Sequence, residues 1–219
     1  MRTKGLFVIV DGPSASGKDS VIQQVLKDLY TLGIQALSIQ ETRERDYNRE
    51  KILSAKNFGD KKTAEAIINE RVKIYQTKII PQLSDGRFMI ANRGETTTLA
   101  HQTIGKEMVM EDVWKMHRNA NIPLPDLVII LNCSVEEALR REILKKTSDN
   151  NKDKNSLSGN FTQNFERRKQ IHTHYERVKD FLEKKGIAVI YLKTDVMDVQ
   201  EGSREIVDFI KNKLNYMHE

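Results

Sequence analysis

A chain of 219 residues predicts an α/β fold here, a five-stranded parallel sheet flanked by helices, and three observations predict it. Five short apolar runs rich in β-branched residues recur along the sequence, and their near-continuous hydrophobicity suits strands covered on both faces. The intervals between them are long enough for crossover helices. The first run leads directly into a loop of glycine, serine and alanine followed by a helical pattern.

The runs are Leu6 to Val10, Ala36 to Ile39, Phe88 to Ala91, Leu127 to Leu131 and Ala188 to Leu192. In doubly wound sheets ligands bind beyond the carboxyl ends of the strands, so the residues just after each run are the candidates.

After strand one comes Gly12-Pro13-Ser14-Ala15-Ser16-Gly17-Lys18-Asp19-Ser20, which satisfies GxxxxGK. In such a P-loop, small residues let successive N–H groups turn inward around a phosphate chain. Lys18 reaches the outer phosphates, and the next helix aims its positive end at them. The pattern asks for Ser or Thr directly after the lysine, where a hydroxyl ligates Mg²⁺, and Asp19 stands there instead. Hard anionic oxygen for a metal is offered by Asp11, Asp19 and the hydroxyl of Ser20.

Hydrophobic residues make up 38% of the chain, enough for a substantial core in one domain. A net charge of +5 favours anionic ligands without demanding nucleic acid, and the aromatics, at 6%, are not interleaved with a basic stripe that would stack bases. A lone cysteine, Cys133, excludes an internal disulfide framework and Cys-type zinc sites. No apolar run approaches a membrane span and Met1 to Lys4 lead straight into a core strand, so a cytoplasmic protein is expected. Residues 145–160 are polar, lysine-rich and nearly without apolar anchors. Such an insert is either a mobile surface loop or a lid closing over phosphates.

From Asn69 to Gln102 the sequence reads NERVKIYQTKIIPQLSDGRFMIANRGETTTLAHQ. It resembles the central segment of thymidylate kinases: an Arg-bearing helix, a strand, then DR(Y/H)xxSxxAYQ. Thr42-Arg43-Glu44 resembles the family's TREPGG, and Pro125 through Arg141 resembles its PDLxxxLDVxPEEALRR. Tyr175-Glu176-Arg177-Val178 resembles the ERV of its penultimate helix. The resemblance implies a P-loop kinase fold that moves the γ-phosphoryl group of ATP to a nucleoside monophosphate with Mg²⁺, typically as a homodimer. Carried over by position, Gly12 to Ser20 bind ATP, and Arg93 holds the acceptor phosphate. Arg71 faces the acceptor nucleotide, Arg43 is a third clamp, and Ile67, Thr97, Thr98 and His101 line the acceptor side. Arg140 and Arg141 are either transition-state clamps or helix-surface charges.

Several positions depart from the family pattern. Its strand-end acids are Asn92 and Asn132 here, its P-loop Asp is Ser14, and the aromatic that stacks on thymine is Ile67. The string GPSASGKDS is also similar to the P-loop of ribose bisphosphate kinases, which carry Asp after the lysine. Two other functions share the pattern. A deoxynucleoside kinase needs a carboxylate base near the end of strand two, for which Glu41 or Glu44 would serve. A non-catalytic nucleotide-binding protein would keep the loop without turnover.

Overall fold

The computed structural model describes residues 5–41, 61–104, 107–148 and 161–218. Five strands, β1 (Phe7–Asp11), β2 (Ala36–Gln40), β3 (Phe88–Asn92), β4 (Leu127–Asn132) and β5 (Val189–Lys193), form one sheet in the order β2-β3-β1-β4-β5. All four pairings are parallel. Each strand begins within one residue of its sequence expectation.

Helices α1 (Lys18–Thr31), α2 (Lys61–Ile74), α3 (Ile80–Ser84), α4 (Glu95–Gln102), α5 (Met110–Asn119), α6 (Val135–Ser148), α7 (Phe161–Lys184) and α8 (Val199–His218) cover the sheet. Alternation along the strands decides which helix lies where. Val8 and Val10 of β1, Ile90 of β3 and Ile129 of β4 point to the face covered by α1 and α8. There the apolar stripe Val21, Ile22, Val25 and Leu29 of α1 meets Ile206, Val207 and Ile210 of α8. The residues between them, Phe7, Ile9, Met89, Ala91, Val128 and Ile130, pack against α2, α4, α5 and α7. Burying a Val, Leu or Ile side chain contributes about 1.5–3 kcal/mol, so this two-sided core holds the strand ends rigid.

Helix α1 stops where Gly33, at φ 77°, takes the left-handed conformation. Ile34 N–H then bonds Leu29 O, and Gly33 N–H bonds Tyr30 O, closing the helix in a Schellman motif. Between α2 and α3 the chain makes a π turn, Tyr75–Ile79, in which Ile80 N–H reaches Tyr75 O. The wider turn relieves the press of the Pro81 ring on the carbonyl four residues earlier.

Two expectations need correction. β2 is an edge strand that is not covered on both faces, with Leu37 42% exposed. The expected insert also begins later, because 145–148 continue α6. The rest of it, 149–160, lies outside the described residues. Among the described residues no helix is long and apolar enough to cross a membrane.

The register brings Asp11, Glu41, Asn92, Arg93, Asn132 and Thr194 to one edge of the sheet. Strand order reverses beside β1, which is where a doubly wound sheet opens a crevice. The P-loop springs from that strand.

Candidate active site

Gly12 turns the chain away from β1 at φ 146°. A Cβ there would lie 2.0 Å from Leu131 O, so only glycine lets the loop pass β4 this closely. Lys18, the first residue of α1, folds back over the loop it follows. Its Nζ donates to Gly12 O at 2.8 Å, Pro13 O at 2.6 Å and Ser16 Oγ at 3.3 Å. Burial, with the Arg93 guanidinium adding to it, lowers the Lys18 ammonium to about 7.

Asp11 is the hub between the P-loop and the end of β3. Fully enclosed, it accepts from Gly12 N–H at 2.7 Å and Tyr175 Oη at 3.0 Å on Oδ1, and from Thr97 Oγ1 at 2.6 Å on Oδ2. Arg93 Nη1 lies 3.9 Å from Oδ1. The sequence expectation of Asp11 as a metal ligand is therefore corrected: its own neighbours surround it, and no face of the carboxylate is open.

Arg93 itself sits at φ 75°, a left-handed conformation that a long side chain adopts at a cost of about 1–3 kcal/mol. Its N–H bonds Val10 O at 2.9 Å, and the next residue, Gly94, passes against Ile9 so closely that a Cβ would meet Ile9 Cδ1 at 2.8 Å. Strand pairing, tight packing and Asp11 together hold the strained residue with its guanidinium beside the P-loop.

A second buried network lies under α2, α4 and α5. Arg71 is 2% exposed and grips Glu41 through Nε at 2.8 Å and Nη2 at 3.0 Å. Its Nη1 donates to Thr98 Oγ1 and to His117 Nε2, each at 2.7 Å. Burial penalises the Arg71 charge, but Glu41 more than offsets it and holds the guanidinium firmly protonated. Four of the five N–H donors of Arg71 are thus taken, so it is no free phosphate fork, and Thr98 serves as its partner. Burial and Arg71 together depress His117 to about 3. The neutral ring donates from Nδ1 to Val113 O and accepts from Arg71 on Nε2.

Beside this network Glu95 pairs with Arg118, which also stacks 4.6 Å above the Trp114 ring. Burial raises Glu95 to about 6 against the pull of Arg118. His101 stands edge-on to Tyr175, and burial and Arg93 lower it to about 4. Ile67 is half-buried on α2.

On the other side of the P-loop the two neighbouring arginines part ways. Arg141 Nη1 donates to Ala15 O at 3.2 Å and Thr194 Oγ1 at 3.1 Å, and Nη2 donates to Thr194 O at 2.5 Å. Arg140 is 61% exposed in its side chain and pairs only with Glu137 among the described residues, so it is the helix-surface charge of the two. A cavity of about 340 Å³ opens beside Arg141, lined by Gly17, Val21, Leu131, Leu192, Thr194 and Met197.

Asp19 and Ser20 are exposed in the first turn of α1, and Ser14 is exposed on the loop. Asn92 Nδ2 donates to Asp19 Oδ1 at 2.7 Å, while Asn92 Oδ1 is buried with no partner among the described residues. Arg43 and Glu44 lie outside the described residues. Sequence reasoning missed Tyr175, Thr97 as a ligand of Asp11, and His117. Tyr175 was visible only as the first letter of a matched motif, and nothing local marked His117 as inward-facing.

A protein-family model described as thymidylate kinase matches residues 10–202. A thymidylate kinase of Caldicellulosiruptor saccharolyticus is 28% identical over 218 residues, covering 96% of this chain and 99% of that one. One from Leuconostoc citreum is 27% identical over 214 residues, covering 94% and 95%. One from Bacillus velezensis is 30% identical over 163 residues, covering 70% and 73%. With its P-loop, its strand-end arginine and a matched span that runs from β1 into α8, the chain belongs to the thymidylate kinase family.

Proposed function

We propose that this protein transfers the γ-phosphoryl group of ATP to dTMP, giving dTDP and ADP. The observation that carries the reading is the placement of Lys18 over the P-loop and of Arg93 beside Asp11, at the edge where β1 and β3 end. A cation rooted in the P-loop serves the donor phosphates, and a second cation rooted in β3 serves the acceptor phosphate.

An ionised phosphate needs no general base, so the chemistry reduces to positioning and charge neutralisation. The N–H groups of the P-loop and Lys18 fix the donor chain, and the apolar cavity beside Arg141 takes the donor base. Arg93, preset in its strained conformation, loses little freedom when it grips the acceptor. Arg141 braces the loop at Ala15 against Thr194, just after β5, and carries positive charge to the outer side of the loop. The acceptor base lies towards Ile67, Thr97 and His101, where the remaining N–H of Arg71 offers one donor.

Mg²⁺ fits the residues present. Asp19 and Ser20, both exposed in the first turn of α1, are hard oxygen donors of the type it takes. When bound, it supplies charge neutralisation across the donor phosphates. The reading includes a cytoplasmic homodimer, and sedimentation measures the second of these attributes.

The nucleoside kinase alternative loses support at Glu41. Both oxygens of that carboxylate are engaged by Arg71 in a buried pair, an arrangement unsuited to a base that must accept a substrate proton. The test is a coupled ADP-release assay with ATP, Mg²⁺ and a panel of nucleoside monophosphates and nucleosides, with Lys18→Ala as control. Turnover of dTMP that depends on Lys18 is expected. Turnover of nucleosides alone, or none across the panel, would reject the reading.

A further inference from the structure

We infer that Asp19 and Asn92 act as one metal-orienting unit, in which helix α1 carries the negative charge and the amide at the end of β3 aims it. The inference rests on the phosphoryl-transfer reading above. Its starting point is the 2.7 Å hydrogen bond from Asn92 Nδ2 to Asp19 Oδ1, which joins the first turn of α1 to the strand that also presents Arg93.

The two partners differ in mobility. Asn92 is buried in the sheet at the end of β3, and Asp19 is exposed on the first turn of a helix. The amide is therefore the fixed member, and the carboxylate is the member that meets a ligand. Holding one oxygen of Asp19 leaves the other pointed by the same contact, as a hydrogen-bonded neighbour does for a metal-binding carboxylate. The other atom of the amide, Oδ1, is buried without a partner among the described residues, so among them the bond to Asp19 is the one polar contact that fixes the orientation of the Asn92 side chain.

Charge fixes which residue types the pair tolerates. Around it stand two cations, Lys18 and Arg93, and one other carboxylate, Asp11, which is already enclosed. A second carboxylate at position 92 would face Asp19 at hydrogen-bond distance, and one of the two would take up a proton. Neutral side chains at both positions would leave two cations against Asp11 alone, with no exposed anion for a metal ion. One negative charge shared across this contact is the balanced state. Because the two side chains touch, either position can hold it.

That symmetry gives the test. The affinity of the protein–ATP complex for Mn²⁺, used as a paramagnetic probe and read by electron paramagnetic resonance, is measured for four proteins. These are the wild type, Asp19→Asn, Asp19→Ser and the double variant Asp19→Ser with Asn92→Asp. Asp19 is exposed, so the single variants fold, and a melting curve for each verifies it. Both single variants should bind Mn²⁺ about tenfold more weakly or worse. The double variant, with the charge moved to β3, should recover most of that loss. A double variant as weak as Asp19→Ser, or an Asp19→Asn protein as tight as wild type, would overturn the inference while wild-type turnover of dTMP left the kinase reading standing. A wild-type protein that binds neither Mn²⁺ with ATP nor dTMP would overturn both.

Discussion

Tyr175 donates a hydrogen bond to Asp11 at 3.0 Å across 164 residues of sequence, tying helix α7 to the residue from which the P-loop springs. The same carboxylate faces Arg93 and Thr97. The P-loop, the end of β3 and helix α7 therefore share one buried anion. Moving any of them perturbs the others.

Asp11→Asn removes that charge while keeping its shape, and Arg93 loses its counter-ion. The expected outcome is a rise of about tenfold or more in the KM for dTMP with a smaller change in the KM for ATP, since hydrogen bonds to charged groups contribute about 1.5–3 kcal/mol. Tyr175→Phe should produce the same pattern more weakly. Steady-state kinetics with each substrate varied in turn measures the split, and equal changes in both KM values would contradict the account.

Nucleotide binding should depend on pH through Lys18. Held near 7 by burial and Arg93, it is mostly neutral in the free protein at pH 8. A triphosphate beside it favours the ammonium form, so binding takes up close to one proton and affinity falls as pH rises above 7, by at most about tenfold per pH unit. Calorimetry in two buffers of different ionisation heat reads the uptake directly. Lys18→Met should abolish the difference between buffers.

Removing one half of the buried Arg71–Glu41 pair strands the other. Glu41→Ala should destabilise the fold by about 3–5 kcal/mol, as breaking an enclosed ion pair does. Replacing both together, Glu41→Leu with Arg71→Met, should cost much less. Urea unfolding of wild type, Glu41→Ala and the double variant checks this, and a double variant no more stable than Glu41→Ala would refute it.

Histidines set the acid limit. His101 and His117 titrate near 4 and 3 in the fold, both lowered first by burial and then by Arg93 and Arg71 respectively, against 6.5 in the unfolded chain. Between those values the unfolded state binds more protons, so stability is full above about pH 6.5 and falls as pH drops towards 4. Each histidine contributes up to about 1.4 kcal/mol per pH unit. His101→Gln should flatten the acid limb of a plot of unfolding free energy against pH.

The sheet was legible because apolar runs with β-branched residues leave few alternatives, and the P-loop because its glycines and lysine are contiguous. Arg93 was legible for the same local reason, its position just beyond a buried strand. What escaped was set by tertiary packing. Nothing near Arg71 in sequence announces Glu41, 30 residues away, as the partner that occupies it. Arg140 and Arg141 are equivalent as letters, and only the rotation of α6 turns one to the P-loop and the other to solvent. Asp11 looked like a metal ligand because carboxylates at strand ends often are, yet hydroxyls from α4 and α7 close over it.

The central claim is tested most directly by following the label from ATP radiolabelled in its γ-phosphoryl group, incubated with Mg²⁺ and an equal mixture of dTMP and thymidine. The account predicts label in dTDP from the wild type and none from Lys18→Ala, with Arg93→Met slowed at least a hundredfold, about the 2.7 kcal/mol or more that one charged clamp supplies. Label in dTMP, or only in inorganic phosphate, would contradict it.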